Sequence, residues 1–247
     1  MMSDNLILPD WPAPECIKAL STTRLGGSSL PPYDGFNLGT HVGDEPNTVI
    51  KNRDYLVELA QLPESPRWLN QIHGTQVINS NDWLLNMDAD AIISQQNNHI
   101  CTIMTADCLP LLLCNKQGDT VAAIHAGWRG LAAGIIEKTI AEFHCDPQDI
   151  LVWLGPAIGP TQFEVGPDVY HTFTQHSAQA IQAFQQTDAT HYLADIYLLA
   201  RQRLITLGVN AVFGGNLCTA SDSQHFFSYR RDNVTGRMAS MIWISSK

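Results

Sequence analysis

Residues 105–130, TADCLPLLLCNKQGDTVAAIHAGWRG, decide the fold. They hold two runs, 109–114 and 120–125, that are apolar almost throughout, the pattern of strands covered on both faces. The Gly118-Asp119 turn between them predicts a hairpin. Each run has a potential metal ligand beside it: Cys108 stands just before the first and His125 closes the second. Beyond His125, AGWRG leads into a predicted helix over 131–144, with Leu131, Ile135, Ile136, Thr139 and Ile140 on one side. A strand–loop–helix junction of this kind leaves unpaired backbone N–H groups near His125 and Arg129, which favours an anion.

Working outward, short strand-like pieces occur at 67–72, 75–78, 91–94 and 100–104 upstream and at 150–154 downstream, with a further strand at 16–23. Helices are expected from Asn47 or Thr48 to 62, ended by Pro63, and over 167–176, 178–185 and 196–207, the last capped by Asp195 and stopped by Gly208. Strands at 211–213 and 237–244 finish the chain. Strands and helices interleave too irregularly for a doubly wound sheet. The expectation is an α/β (α+β) layered sandwich of mixed β-sheets flanked by helices, with residues 1–247 as one domain. The segment RLGGSSLPPYDGFNLGTHVGD, 24–44, reads as a long irregular loop that needs glycine conformations, either a functional loop or a surface excursion.

Composition narrows the function. Apolar residues make up 45% and charged residues 15%, as in a globular protein. With 14 Lys+Arg against 24 Asp+Glu the formal net charge is −10, so nucleic acid and anionic membranes are poor partners, and an anionic substrate needs a local basic pocket. No apolar run approaches the ~20 residues of a membrane span, and the N-terminus carries no secretory pattern. A cytoplasmic protein is expected, with six free cysteines lacking any CxxC pair.

Zinc is commonly held by Cys and His, and a catalytic zinc keeps three protein ligands and one open position. His73, in NQIHG, would complete such a set with Cys108 and His125, since all three fall at ends of predicted strands next to Gly, Pro or Asp. Each alone is more often a core or surface residue than a ligand. The chemical rival uses the same atoms without metal, as a Cys108 thiolate paired with His125 or His73. Asp107, beside Cys108, could hold a histidine tautomer, orient a water or act as general base, or simply form a turn. Of the other seven histidines, only His41 and His225 lie in glycine- or aromatic-rich loops that could border a site.

The segments TTRLGGSS, PPYDGFNLGTHVGD, NQIHG, TADCLP, HAGWRG, GPAIGPTQFEVG and FFSYRRDNVTGRM, in this order and spanning nearly the whole chain, closely resemble the YfiH or laccase-domain family, also called peptidoglycan editing factor and polyphenol oxidase family proteins. The resemblance implies zinc at His73, Cys108 and His125, and a layered fold likened to the catalytic domain of cytotoxic necrotizing factor, which uses a Cys–His pair. It also implies activity on small molecules. Members are credited with phosphorolysis of adenosine, inosine and methylthioadenosine, with adenosine deamination, with removal of misincorporated serine from cell-wall precursors, and with copper-dependent polyphenol oxidation.

Chemistry ranks these. A multicopper oxidase needs many closely paired histidines, and the chain has no His-x-His, so copper is less expected than zinc. Deamination suits a Cys/His/His zinc with an adjacent acid, although the HxE and PCxxC signature of cytidine deaminases is absent. Phosphorolysis needs focused cations for phosphate. Arg24, Arg53, Arg129, Arg230 and Arg231 fall in suitable segments, and Asn37 and Glu164 stand in family motifs. The leading expectation is a zinc-dependent purine nucleoside phosphorylase with deaminase activity. It would use His73, Cys108, His125 and Asp107 in catalysis and Arg24, Asn37, Arg53, Arg129, Glu164 and Arg230 for substrate or phosphate. Amide hydrolysis is the runner-up, and a binding protein with a closed structural zinc is the non-enzymatic alternative. A monomer or weak homodimer is expected.

Overall fold

The computed structural model describes residues 4–246. In chain order its strands are β1 (Leu6–Ile7), β2 (Ile17–Thr22), β3 (Val77–Asn79), β4 (Ala91–Ser94), β5 (Cys101–Thr105), β6 (Leu109–Asn115), β7 (Val121–Ala126), β8 (Ile150–Leu154), β9 (Glu164–Val165), β10 (Phe184–Gln186), β11 (Tyr192–Ala194), β12 (Ala211–Gly214) and β13 (Met238–Ile244). The helices are α1 (Pro46–Leu59), α2 (Trp128–Ala133), α3 (Ile135–Ala141), α4 (Pro167–His176), α5 (Ile196–Thr206) and α6 (Tyr229–Asp232).

The predicted hairpin is the centre of a six-stranded sheet in the order β12-β8-β6-β7-β4-β3. β6 pairs antiparallel with both β7 and β8, β7 antiparallel with β4, and the two outer pairs are parallel. Alternate residues serve different cores because side chains on a strand alternate faces. Ile93, Leu111, Leu113, Ile124 and Val152 pack against Ile135, Ile136 and Leu199 of the helical layer. Ile92, Leu112, Cys114, Ala123 and Trp153 instead face Ile103, Met238 and Ile242 of a four-stranded sheet, β1-β2-β13-β5. That second sheet turns Leu20, Met241 and Trp243 outward under Leu56 of α1. The result is a mixed α/β sandwich of four layers, helix, sheet, sheet, helix. Every residue of β6 and β7 is buried, each large aliphatic contributing about 1.5–3 kcal/mol.

Several elements differ from the sequence reading for local reasons. The helix expected over 131–144 starts at Trp128 and breaks at Gly134, whose φ of 95° closes α2 with a left-handed cap. The Arg203 guanidinium crosses from α5 to donate to the α2 carbonyls of Leu131 (3.1 Å) and Ala132 (2.9 Å), with Glu137 at 3.3 Å. α1 is capped by Glu45 rather than Asn47 or Thr48, because Pro46 suits the first helical position and the Glu45 carboxylate accepts from Thr48 N at 2.8 Å. Residues 67–72 form no strand, only single bridges at Arg67 and Asn70. The helix expected over 178–185 is a 3-10 turn, Ala178–Ala183, running into β10, which joins β11 and β9 in a small sheet. There Phe184 packs edge-on against Tyr170 and Tyr192.

Candidate metal centre

The register of the hairpin brings two of the expected ligands together. His125 lies opposite Pro110 and Ala126 opposite Leu109, so continuing one residue sets Cys108 opposite Gly127, on the face His125 uses. His73 arrives on a turn with a φ of 58°, a left-handed conformation that histidine adopts more readily than most residues. The donor atoms of His73, Cys108 and His125 lie within 4.8 Å of one another; His125 is buried, Cys108 half-buried and His73 exposed. Cys108 Sγ is 3.7 Å from His73 Nε2, and the two imidazoles meet edge to face with centroids 4.8 Å apart. Among the described residues this is the one group of three or more such side chains able to hold a metal.

Asp90, absent from the sequence reading, fixes the two histidines. Fully buried just before β4, it accepts His125 Nδ1–H at 2.8 Å and the backbone N–H groups of His73 (3.0 Å) and Gly74 (2.6 Å). Its carbonyl also accepts His125 N at 2.7 Å. Burial alone would raise the Asp90 carboxyl, but the hydrogen bonds from His125, Gly74 and His73 hold it below its usual value. With Nδ1–H committed to Asp90, His125 presents Nε2 to a metal, the outer-sphere arrangement that sets a ligand's tautomer. Burial likewise works against the Cys108 thiolate, yet the neighbouring His125 and His73 pull the thiol down to about 6. His125 is raised by Cys108 and Asp90 against its own burial.

These residues fit a metal on three counts: a soft-plus-imidazole donor set, a locked tautomer and a cleared approach. A Cβ at Gly127 would come 2.8 Å from His73 Cδ2 and 3.1 Å from Cys108 Sγ, and one at Gly130 would come 2.7 Å from Gly74 O. The glycines of HAGWRG let α2 close on the ligand turn. Gln71 ties that turn to the end of β5, its side chain donating to Met104 O and accepting from Met104 N, both at 2.7 Å.

The three donors form one wall of a pocket of about 360 Å³ whose apolar lining includes Met104, Trp128, Ile158, Phe163 and Ile196, with Arg230, Arg237 and His41 also bordering it. Of the substrate residues expected from sequence, only Arg230 borders the pocket. Arg24 pairs with Asp34 at 3.1 Å and lines a separate depression. Asn37 is fully buried and braces the loop by bonding Gly39, Asp44 and Arg237 N. Arg53 stacks over Trp68 at 3.9 Å and donates to Leu38 O, behind the pocket wall. Arg129 is exposed over Trp128, and Glu164 is exposed on β9. Arg231 is spent on Asp232 and on the carbonyls of Thr219, Ala220 and Phe226. Asp107 borders the pocket at a φ of 92°, but its oxygens accept from Thr219 Oγ1 and Arg230 N, both at 2.6 Å; the imidazole-holding task falls to Asp90. Arg237 was legible only as the last arginine of FFSYRRDNVTGRM, in a segment read as the start of a strand.

Residues 18–245 match the family described as multi-copper polyphenol oxidoreductase laccase. The chain is 52% identical over 241 residues to the Escherichia coli protein named purine nucleoside phosphorylase YfiH, covering 97% of this chain and 99% of that one. It is 49% identical over 239 residues to a Haemophilus influenzae purine nucleoside phosphorylase, covering 96% and 98%. A crystal structure of a Neisseria meningitidis protein superposes with a TM-score of 0.95 at 47% identity, over 98% of this chain and 100% of that one. YlmD from Geobacillus stearothermophilus gives 0.92 at 28% identity, over 100% and 98%.

Proposed function

The chain belongs to the multi-copper polyphenol oxidoreductase laccase family, the YfiH family, and on that premise we propose that it is a zinc-dependent purine nucleoside phosphorylase acting on adenosine, inosine and methylthioadenosine, with adenosine deamination as a secondary activity. The observation that carries the reading is the convergence of His73, Cys108 and His125 on one wall of an apolar pocket that also meets the cationic Arg230. One Cys/His/His set suits a single zinc rather than several coppers.

A zinc held by His73, Cys108 and His125 would supply a Lewis acid at the pocket wall. The chain's own groups do the rest. Trp128, Phe163 and Ile158 offer the flat apolar surface that a purine ring needs, and they exclude water from it. Arg230, its guanidinium 5.6 Å over the Phe163 ring, brings positive charge to the same space. In phosphorolysis a phosphate oxygen bonds to C1′ of the ribose while the C1′–N9 bond breaks. The bonding pair leaves with the purine, which then takes a proton from solvent. Asp90 keeps the His125 Nδ1 proton in place throughout. Deamination adds the oxygen of water at C6 and expels ammonia, which requires a proton carrier. Asp107 is the carboxylate bordering the pocket; each of its oxygens accepts one hydrogen bond, from Thr219 Oγ1 and Arg230 N, and keeps a lone pair for the proton.

A second reading has one observation in its favour. Cys108, the two imidazoles and Asp90 form a Cys–His–Asp arrangement that could cleave an amide, such as one bearing misincorporated serine in a cell-wall precursor, without metal. The test is to measure bound metal in purified protein and chromatograph the products from adenosine with and without phosphate. Phosphate-dependent adenine and ribose phosphate support phosphorolysis, inosine supports deamination, and neither product removes the nucleoside reading. Cys108→Ala should abolish zinc and activity together; activity lost with zinc retained favours the thiolate.

A further inference from the structure

Arg237 and His41 border the pocket and have no task in the chemistry above. The Arg237 guanidinium donates through Nη1 to the carbonyls of Thr235 and Gly236, each at 3.0 Å. Among the described residues it has no carboxylate partner, unlike Arg24, Arg67, Arg203 and Arg231. A half-buried guanidinium without a counter-ion is costly, and in a chain of net charge −10 it would be easy to pair. Burial accordingly lowers its pKa, with Cys108, Asp107 and Tyr229 among the groups that oppose the shift.

The surrounding chain is nevertheless built to hold it. The buried Asn37 side-chain Oδ1 accepts from both Arg237 N and Gly39 N at 2.9 Å, joining β13's entry to the 24–44 loop. A Cβ at Gly39 would sit 2.8 Å from Arg237 Cγ, so that glycine keeps space for this side chain, while one at Gly236 would meet the Phe227 ring at 2.7 Å and Asn37 Cβ at 2.9 Å, which fixes the backbone that carries it. His41 follows on the same loop. Burial, then Arg237 and Arg53, hold it below its usual value, leaving a neutral imidazole with one N–H to donate. A cation without an ion-paired carboxylate and a neutral donor, both bordering the pocket of the metal-ligand wall, make an oxyanion cradle.

We propose that Arg237, assisted by His41, is the subsite for the inorganic phosphate that attacks the nucleoside. The proposal rests on phosphorolysis as the reaction at this site. It assigns the anchoring of phosphate to two residues outside the strand–helix junction at His125 and outside Arg24, Arg53 and Arg129.

The zinc-loaded protein and its Arg237→Met, Arg237→Lys and His41→Gln variants are titrated calorimetrically with inorganic phosphate and, separately, with adenosine 5′-monophosphate, and their KM values for phosphate and nucleoside are measured. Arg237→Met is expected to weaken phosphate binding and raise the phosphate KM about tenfold to a hundredfold, as for a lost charge-assisted hydrogen bond. The nucleoside KM should change less than about twofold, with Arg237→Lys recovering part of the loss and His41→Gln costing about threefold. Unchanged phosphate binding in the variants, a rise confined to the nucleoside KM, or Arg237-dependent binding of the monophosphate but not of free phosphate would overturn the assignment. Arg237-dependent phosphate binding without any phosphorolysis would keep the subsite and remove the reaction. Phosphorolysis with a phosphate KM indifferent to Arg237 would do the reverse. Should Arg237→Met fail to fold, the lysine and His41 variants carry the same comparison.

Discussion

Replacing Asp90 with asparagine removes one charge and almost no volume from beneath the proposed metal ligands. The carboxylate accepts three hydrogen bonds, from His125 Nδ1 at 2.8 Å, His73 N at 3.0 Å and Gly74 N at 2.6 Å. An asparagine side chain has one acceptor oxygen, so if it keeps His125 its NH2 group must face the Gly74 N–H, donor against donor. His125 also loses the charge that fixes its tautomer. Removing an outer-sphere partner of this kind costs about 10–100-fold in metal affinity, or roughly 1.4–2.8 kcal/mol. The assay is zinc competition with a chromophoric chelator, with thermal melts of the metal-free protein in parallel. A zinc affinity within about threefold of wild type, with the fold intact, would refute the ligand-orienting role. The pH dependence gives a second check. Because folding depresses the Asp90 pKa, its contribution to stability is present above the ordinary value of 3.8 and is lost as the pH falls through the folded value. Metal-free wild type should therefore lose stability over that acid range more steeply than Asp90→Asn, in melts from about pH 5 down to about pH 2.

Further outcomes follow from other distances. In metal-free protein the alkylation rate of Cys108 by iodoacetamide should rise with a midpoint near 6, while Cys101 and Cys114, whose thiols burial pushes up to about 12, stay silent in mass spectra; saturating zinc should protect Cys108. Gly127→Ala should cut zinc affinity at least about tenfold by displacing His73 and Cys108, and retention of wild-type affinity by chelator competition would show that the ligands can step aside. Arg203→Met should lower stability by about 2–3 kcal/mol in urea melts, since it uncaps two α2 carbonyls and strands Glu137. Arg24→Ala and Arg129→Ala should leave the phosphate KM within about twofold, because one is paired elsewhere and the other stacks on Trp128.

The central strands were readable because they are buried on both faces. Leu109–Asn115 and Val121–Ala126 have no solvent side to impose alternation, so the apolar run itself carries the signal. Strand order was not readable, and with it went Asp90. The residue is ordinary in the sequence and becomes His125's partner only because β4 lies beside β7. His73, Cys108 and His125 stood out by residue type and by the family motifs. The arginines did not sort themselves, since an arginine's role depends on whether a carboxylate or an aromatic ring reaches it first. Asp34 takes Arg24, Trp68 takes Arg53, and Arg237 is left facing the pocket. The short strands β9, β10 and β11 leave no sequence signal because two- and three-residue pieces take their conformation from neighbours rather than from pattern.

The hairpin that carries Cys108 and His125 belongs to two cores at once, its alternate side chains locked on one face by helices and on the other by the second sheet. Neither ligand can drift without disturbing both. The cost of arranging the donors is therefore met when the chain folds and not when the ion arrives, the opposite of a zinc finger, where metal and fold appear together. A protein built this way, holding the proposed ion, would surrender it to a chelator, wait in the same shape, and take up another without passing through an unfolded chain.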